Sequence, residues 1–173
     1  MNDYKLLSEF LDYPSKDFKE SIPDFYSYID QSTSIKKDEK RIMLNYLKNI
    51  KSKSLLELQE EYVKIFDMNA EHSLYLTHHL FGDDKNRGPA LIDLEHLYEE
   101  YGFSKTSNEL PDYLPLILEF ANSLEGNESN AFLSHTNKVL KVLEENLKKV
   151  STYYSGLVSI IEKRSRLIKL GES

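Results

Sequence analysis

Cysteine is absent from the 173 residues. That excludes disulfides, a thiol nucleophile and any Cys-based metal site, and it is compatible with the cytoplasmic location expected here. Glycine and proline are scarce, with six and five residues, and β-branched alternation is rare. A sheet-rich fold has no signature in such a chain. Long apolar runs are missing too. The longest, Tyr113 to Leu118, contains Pro115 and is far short of the roughly 20 residues that span a bilayer. The opening Met1-Asn2-Asp3-Tyr4-Lys5 has an acid and no apolar run behind it, so no secretory signal and no membrane insertion are expected. Basic charge is in deficit: 22 Lys and Arg against 29 Asp and Glu leave a net −7. Diffuse nucleic-acid binding needs a basic face and is not expected. The acidic balance suits a basic partner, or serves only to keep the protein soluble.

What is present is helical periodicity. The chain is 40% hydrophobic and 29% charged, ordinary for a soluble protein and long enough for one real core. Leu6, Leu7, Phe10 and Leu11 form a first face, ended by Tyr13-Pro14. Phe18, Ile22, Phe25, Tyr26 and Ile29 follow at helical intervals. Asp38 is a candidate cap for a helix carrying Ile42, Met43, Tyr46, Leu47 and Ile50. Ser54 with Glu57 reads as a capping box for Leu55, Leu58, Tyr62, Ile65 and Phe66. Leu74 to Phe81 is a short segment stopped at Gly82-Asp83-Asp84. A helix from about Arg87 to Tyr101 has Pro89 in its first turn and Gly102 as its cap. Pro111 or Asp112 begins another helix, which Gly126-Asn127 ends. Phe132 to Leu147 makes one stripe and Tyr154 to Ile161 a second, with residues 163–173 read as a frayed tail. The expectation is an all-α fold, a single compact domain over 1–173 with about eight or nine helices.

The chemistry motifs are missing. There is no phosphate-binding glycine loop, no dinucleotide turn and no nucleophile elbow. A di-iron bundle needs two Glu-x-x-His repeats, and the nearest match is Asp93-x-x-His96, once. His72, His78 and His79 lie close in sequence, but adjacent His78 and His79 project about 100° apart on a helix and cannot share a face. The carboxylate pairs Glu57 and Glu61, and Glu95 and Glu99, have no nucleophile beside them. No catalytic residue, metal site or cofactor is expected, and the chain does not read as an enzyme.

Three elements stand out in order: Tyr62-x-x-Ile65-Phe66, Gly82-Asp83-Asp84-x-x-Arg87-Gly88, and Glu109-x-Pro111-Asp112. With the Leu-Tyr-Leu-Thr-His-His-Leu-Phe run from Leu74 to Phe81, they resemble the NarJ-type branch of the TorD/DmsD/NarJ redox-enzyme maturation chaperones. The likeness covers most of the chain and is strongest from Leu55 to Phe120. It departs at Tyr113, where many members have His. The resemblance implies the TorD/NarJ fold and a client-specific assembly chaperone. Its partner would be the respiratory nitrate reductase alpha (catalytic) subunit, bound through an N-terminal, twin-arginine-like segment. Binding would keep the apo-subunit competent for molybdenum cofactor insertion. The same fold serves chaperones of sulfoxide and amine-oxide reductases, which is the alternative client class.

A basic amphipathic segment fits an apolar groove with an acidic rim. Tyr62, Phe66, Leu74, Tyr75 and Phe81 are candidate walls, and Asp67, Asp83, Glu109 and Asp112 candidate acids. His79, Gly82, Arg87, Pro111 and Tyr113 complete the candidate set. Other readings stay open. Tyr62 and Phe66 can be core, Gly82 a backbone turn, and Arg87 a local partner of Asp83 or Asp84. Pro111-Asp112 can simply start a helix, with Asp112 in its first turn.

Overall fold

Helices α1 (Asp3–Leu11), α2 (Lys16–Glu20), α3 (Ile22–Gln31), α4 (Lys37–Ile50) and α5 (Leu55–Tyr62) occupy the first 62 residues. They are followed by α6 (Leu76–Phe81), α7 (Arg87–Glu100), α8 (Leu114–Ser123), α9 (Asn127–Ser134), α10 (Asn137–Lys148) and α11 (Thr152–Arg164). This computed structural model describes residues 1–166. Among them are eleven α-helices and no β-strand, nine of the helices being seven residues or longer. The all-α expectation is met.

The caps explain most boundaries. Asn2 starts α1 and Ser151 starts α11 by accepting backbone N–H groups. The Ser54–Glu57 capping box is present. Asp38 is not the cap of α4. Glu39 folds back onto the Lys36 N–H, so the cap is Lys36, two residues earlier, and Asp38 lies in the first turn. The stretch from Phe18 to Ile29 splits at Ser21, where Pro23 opens a second helix. The stripe from Phe132 to Leu147 also divides, at His135-Thr136, into α9 and α10. Beyond Tyr62, Val63–Asp67 widens into a π-turn, a feature frequent at functional sites.

Helices α10 and α11 pack as a pair, α11 lies on α4, and α1 lies on α8. Gly156 lets α11 approach α4 closely: a Cβ there would sit 2.9 Å from Ile42 Cγ2. The core is strongly aromatic. Phe10 meets Phe25 at 5.3 Å and Tyr46 at 4.8 Å, and Phe66 meets Tyr154 at 4.9 Å between centroids. One buried ionic knot ties the N- and C-terminal helices together. Arg164 donates to Glu39 at 2.7 and 2.9 Å and to Asp3 at 3.0 Å. Lys163 and Arg164, placed in the tail on sequence grounds, therefore belong to α11. Residues 167–173 of that expected tail lie outside the described residues.

Candidate functional site

Leu74–Leu76 and Asp112–Leu114 meet in one antiparallel bridge between Tyr75 and Tyr113. The Leu114 N–H donates to the Leu74 carbonyl at 2.8 Å, and the Leu76 N–H to the Asp112 carbonyl at 3.2 Å. The bridge sets the two tyrosine rings 5.0 Å apart, tilted by 31°. The Leu74–Phe81 run and the Glu109–Asp112 element are thereby joined through backbone. Tyr75 is half-buried, and its hydroxyl donates to the Glu109 carboxylate. Burial, then that contact with Glu109, raises the Tyr75 phenol above its ordinary range.

Tyr113 turns inward. Its hydroxyl lies 2.7 Å from the Tyr62 hydroxyl and 3.0 Å from Asp12 Oδ1, and Tyr62 also contacts the Leu11 carbonyl at 2.8 Å. The Leu11 carbonyl can only accept, so Tyr62 spends its single proton there. Tyr113 then donates its own proton to Tyr62 or to Asp12, not to both. All three contacts are hydrogen bonds at once only when Asp12 carries a proton. Burial raises the Asp12 carboxyl, against hydrogen bonds from Tyr13 and Tyr113, and the charges of Glu119 and Glu109 add to the rise.

Asp112 does not lie in a helix. The helix begins at Leu114, because Pro115 occupies its first turn and Asp112-Tyr113 are taken by the bridge. Asp112 Oδ2 accepts the Thr77 amide at 2.9 Å and the Thr77 hydroxyl at 2.6 Å. Arg87 Nε donates to the same Thr77 hydroxyl at 3.0 Å, and Arg87 Nη2 is 4.0 Å from Asp112. Arg87 thus pairs inward and not with Asp83 or Asp84. Asp112 is 1% exposed, and its Oδ1 has no partner among the described residues. A fully buried carboxylate cannot grip a ligand at a rim.

The remaining candidates sort by burial. Tyr62 and Phe66 are core, their rings 4.7 Å apart, and Leu74 is core as well. Phe81 is half-buried, and Gly82 closes α6 at φ 53°, donating to the His78 carbonyl. Asp83 and Asp67 are exposed at turns. Partial burial and then Glu109 raise the Asp67 carboxyl. His79 Nε2 lies 2.7 Å from the Ser73 carbonyl, and partial burial lowers its pKa, which favours the neutral ring. Pro111 is buried, and its carbonyl accepts the Tyr98 hydroxyl at 2.6 Å. Among the described residues no cluster of three or more His, Asp or Glu is placed to hold a metal. Sequence reasoning missed Asp12, Thr77 and Tyr98, whose partners lie 101, 35 and 13 residues away. It also missed Leu80, next to Phe81 and 59% exposed, and Leu110, next to Glu109 and 44% exposed.

The family described as nitrate reductase delta subunit matches residues 30–157. The chain belongs to that family. It is 31% identical over 158 residues to the nitrate reductase molybdenum cofactor assembly chaperone NarJ of Bacillus subtilis (strain 168), covering 91% of this chain and 85% of that one. It is 28% identical to NarJ of Escherichia coli (strain K12), covering 94% of this chain and 69% of that one. A solved structure from Archaeoglobus fulgidus, assigned to redox enzyme maturation, superposes with a TM-score of 0.58 at 20% identity. It covers 92% of this chain and 90% of its own, and it shares the fold. Both NarJ relatives are named as assembly chaperones of nitrate reductase.

Proposed function

We propose that this protein is the assembly chaperone of a respiratory nitrate reductase. It binds the basic N-terminal segment of the catalytic alpha subunit and holds the apo-subunit ready for molybdenum cofactor insertion. The observation that carries the reading is family membership, joined to a tyrosine bridge whose outer edge is acidic. Tyr75 and Phe81 are half-buried and Leu80 and Leu110 exposed; Glu109 meets the Tyr75 hydroxyl, and Asp67 lies close enough to Glu109 for its carboxyl to be raised. An arginine-bearing amphipathic segment finds there both apolar area and carboxylates, which form strong charge-assisted hydrogen bonds with guanidinium. In this reading Tyr62, Phe66, Asp112 and Tyr113 position the surface from beneath and do not touch the client. The chaperone acts in the cytoplasm, where the apo-subunit is made.

Co-purification tests the reading. The chaperone is expected to retain the full-length apo alpha subunit and to lose most of it when the first turn or two of the subunit's N-terminal segment is deleted. Equal recovery of both forms would count against an N-terminal site.

A further inference from the structure

The net charge of −7 conceals a strong internal asymmetry. Between Lys36 and Lys53 lie seven basic and two acidic side chains, a local +5 that leaves −12 for the rest of the chain. Much of this charge falls on one line. Lys37, Arg41, Leu44, Lys48 and Lys51 recur at spacings of four and three residues, which keeps them within a narrow arc on a helix. The line faces away from the core side of α4, where Met43, Tyr46, Leu47 and Ile50 are buried. Lys37, Arg41, Lys48 and Lys51 are exposed, and none has an ion-pair partner among the described residues. Of the two local acids, Glu39 is buried on Arg164 and Asp38 points to the flank of the stripe. Lys37, Lys40, Arg41 and Leu44 line one open depression with Asp38.

We propose that the outward face of α4 is a docking surface for an anionic lipid bilayer. The contact is peripheral: four cations in a line about 21 Å long, with Leu44, 37% exposed, at the centre of the line. The stripe is dominated by lysine, a compact point charge on a flexible stem. Lysine is depleted at protein–protein interfaces, where arginine is enriched. Headgroups need no fixed pairing geometry, and each Lys or Arg near an anionic surface adds to the attraction. A nucleic acid fits less well, because no aromatic side chain interleaves the stripe to stack on bases. The overall acidity does not forbid docking. Screening acts over about 8 Å at physiological salt, and a chain of this length is about 40 Å across. Carboxylates on the far side of the molecule are therefore muted at the membrane. The inference stands on α4 alone and is independent of the client reading.

Vesicle co-sedimentation tests it, with the intact protein and two lipid compositions: pure phosphatidylcholine, and phosphatidylcholine mixed with phosphatidylglycerol. The protein is expected to sediment with the mixed vesicles at low salt, to be released by high salt, and to ignore the neutral ones. The triple variant Lys37→Glu, Arg41→Glu, Lys48→Glu should bind the mixed vesicles roughly tenfold or more weakly while keeping its melting midpoint. Should that midpoint fall, the single variants Arg41→Glu and Lys48→Glu carry the comparison, each with a smaller loss. Failure to sediment with mixed vesicles at low salt, equal sedimentation with neutral vesicles, or undiminished binding by the folded variants overturns the proposal.

Discussion

Asp112 holds Thr77 twice, accepting its amide at 2.9 Å and its hydroxyl at 2.6 Å. The contact fastens the start of α6 to the loop before α8, and Arg87 braces it from α7 through the same hydroxyl. Replacing Asp112 by Ala leaves the buried Thr77 amide unpaired and takes the acceptor from its hydroxyl, which keeps only Arg87. The expected loss is about 2–4 kcal/mol of stability, read from denaturant midpoints. Thr77→Val should cost less, because the Asp112 carboxylate keeps the amide. If Asp112→Ala weakens client binding, the melting midpoint should fall with it. Lost binding at unchanged stability would make Asp112 a contact residue after all.

Tyr113→Phe keeps the ring beside Tyr75 and removes only the hydroxyl shared by Tyr62 and Asp12. A cost of about 1–2 kcal/mol is expected, with client binding nearly unchanged. Position 113 thus works here through a buried phenol, which burial raises above its ordinary range. A loss of binding much larger than the loss of stability would place Tyr113 in the contact surface.

The Asp12 carboxyl is raised by burial in the folded chain. The native state therefore keeps this proton to higher pH than the unfolded chain does. Its contribution is complete below the unfolded carboxylate range and fades as pH rises through the folded value. Asp12→Asn removes that slope and supplies a neutral donor toward Tyr113. Relative to the parent, the variant should gain stability as pH rises from the ordinary carboxylate range through the raised folded value. Denaturation curves that stay parallel across that range would refute a proton on Asp12.

Arg164 serves Glu39 and Asp3 together, both of them buried. Arg164→Ala strands two buried carboxylates, and a loss of about 3–5 kcal/mol is expected. Arg164→Lys should recover only part, since one ammonium cannot reproduce the paired contact with Glu39. Melting of the three proteins side by side reads this directly.

Much of the fold was legible because it is local. The Ser54–Glu57 box, the Gly82 stop, the helix from Arg87 and the faces of α10 and α11 all follow from spacing and capping. What sequence could not show is long-range. Leu74–Leu76 carries no strand signal, yet it pairs with a segment 38 residues on. Asp112 looked like a first-turn acid because its true partner, Thr77, lies far back in the chain. The residues expected to form an aromatic wall from Tyr62 to Phe81 differ in burial. Tyr62 and Phe66 face the core, while Tyr75 and Phe81 are half-buried. A net charge likewise hides its own layout, and α4 carries a basic face that the total denies.

The central claim is recognition of a basic client segment at the Tyr75–Glu109 edge. Titration calorimetry with the N-terminal peptide of the cognate alpha subunit tests it most directly, on the parent protein and on Glu109→Gln with Asp67→Asn. The account predicts saturable binding to the parent, weakened about tenfold or more in the double variant, with the fold intact. No measurable binding to the parent, or equal affinity in both proteins, would contradict it.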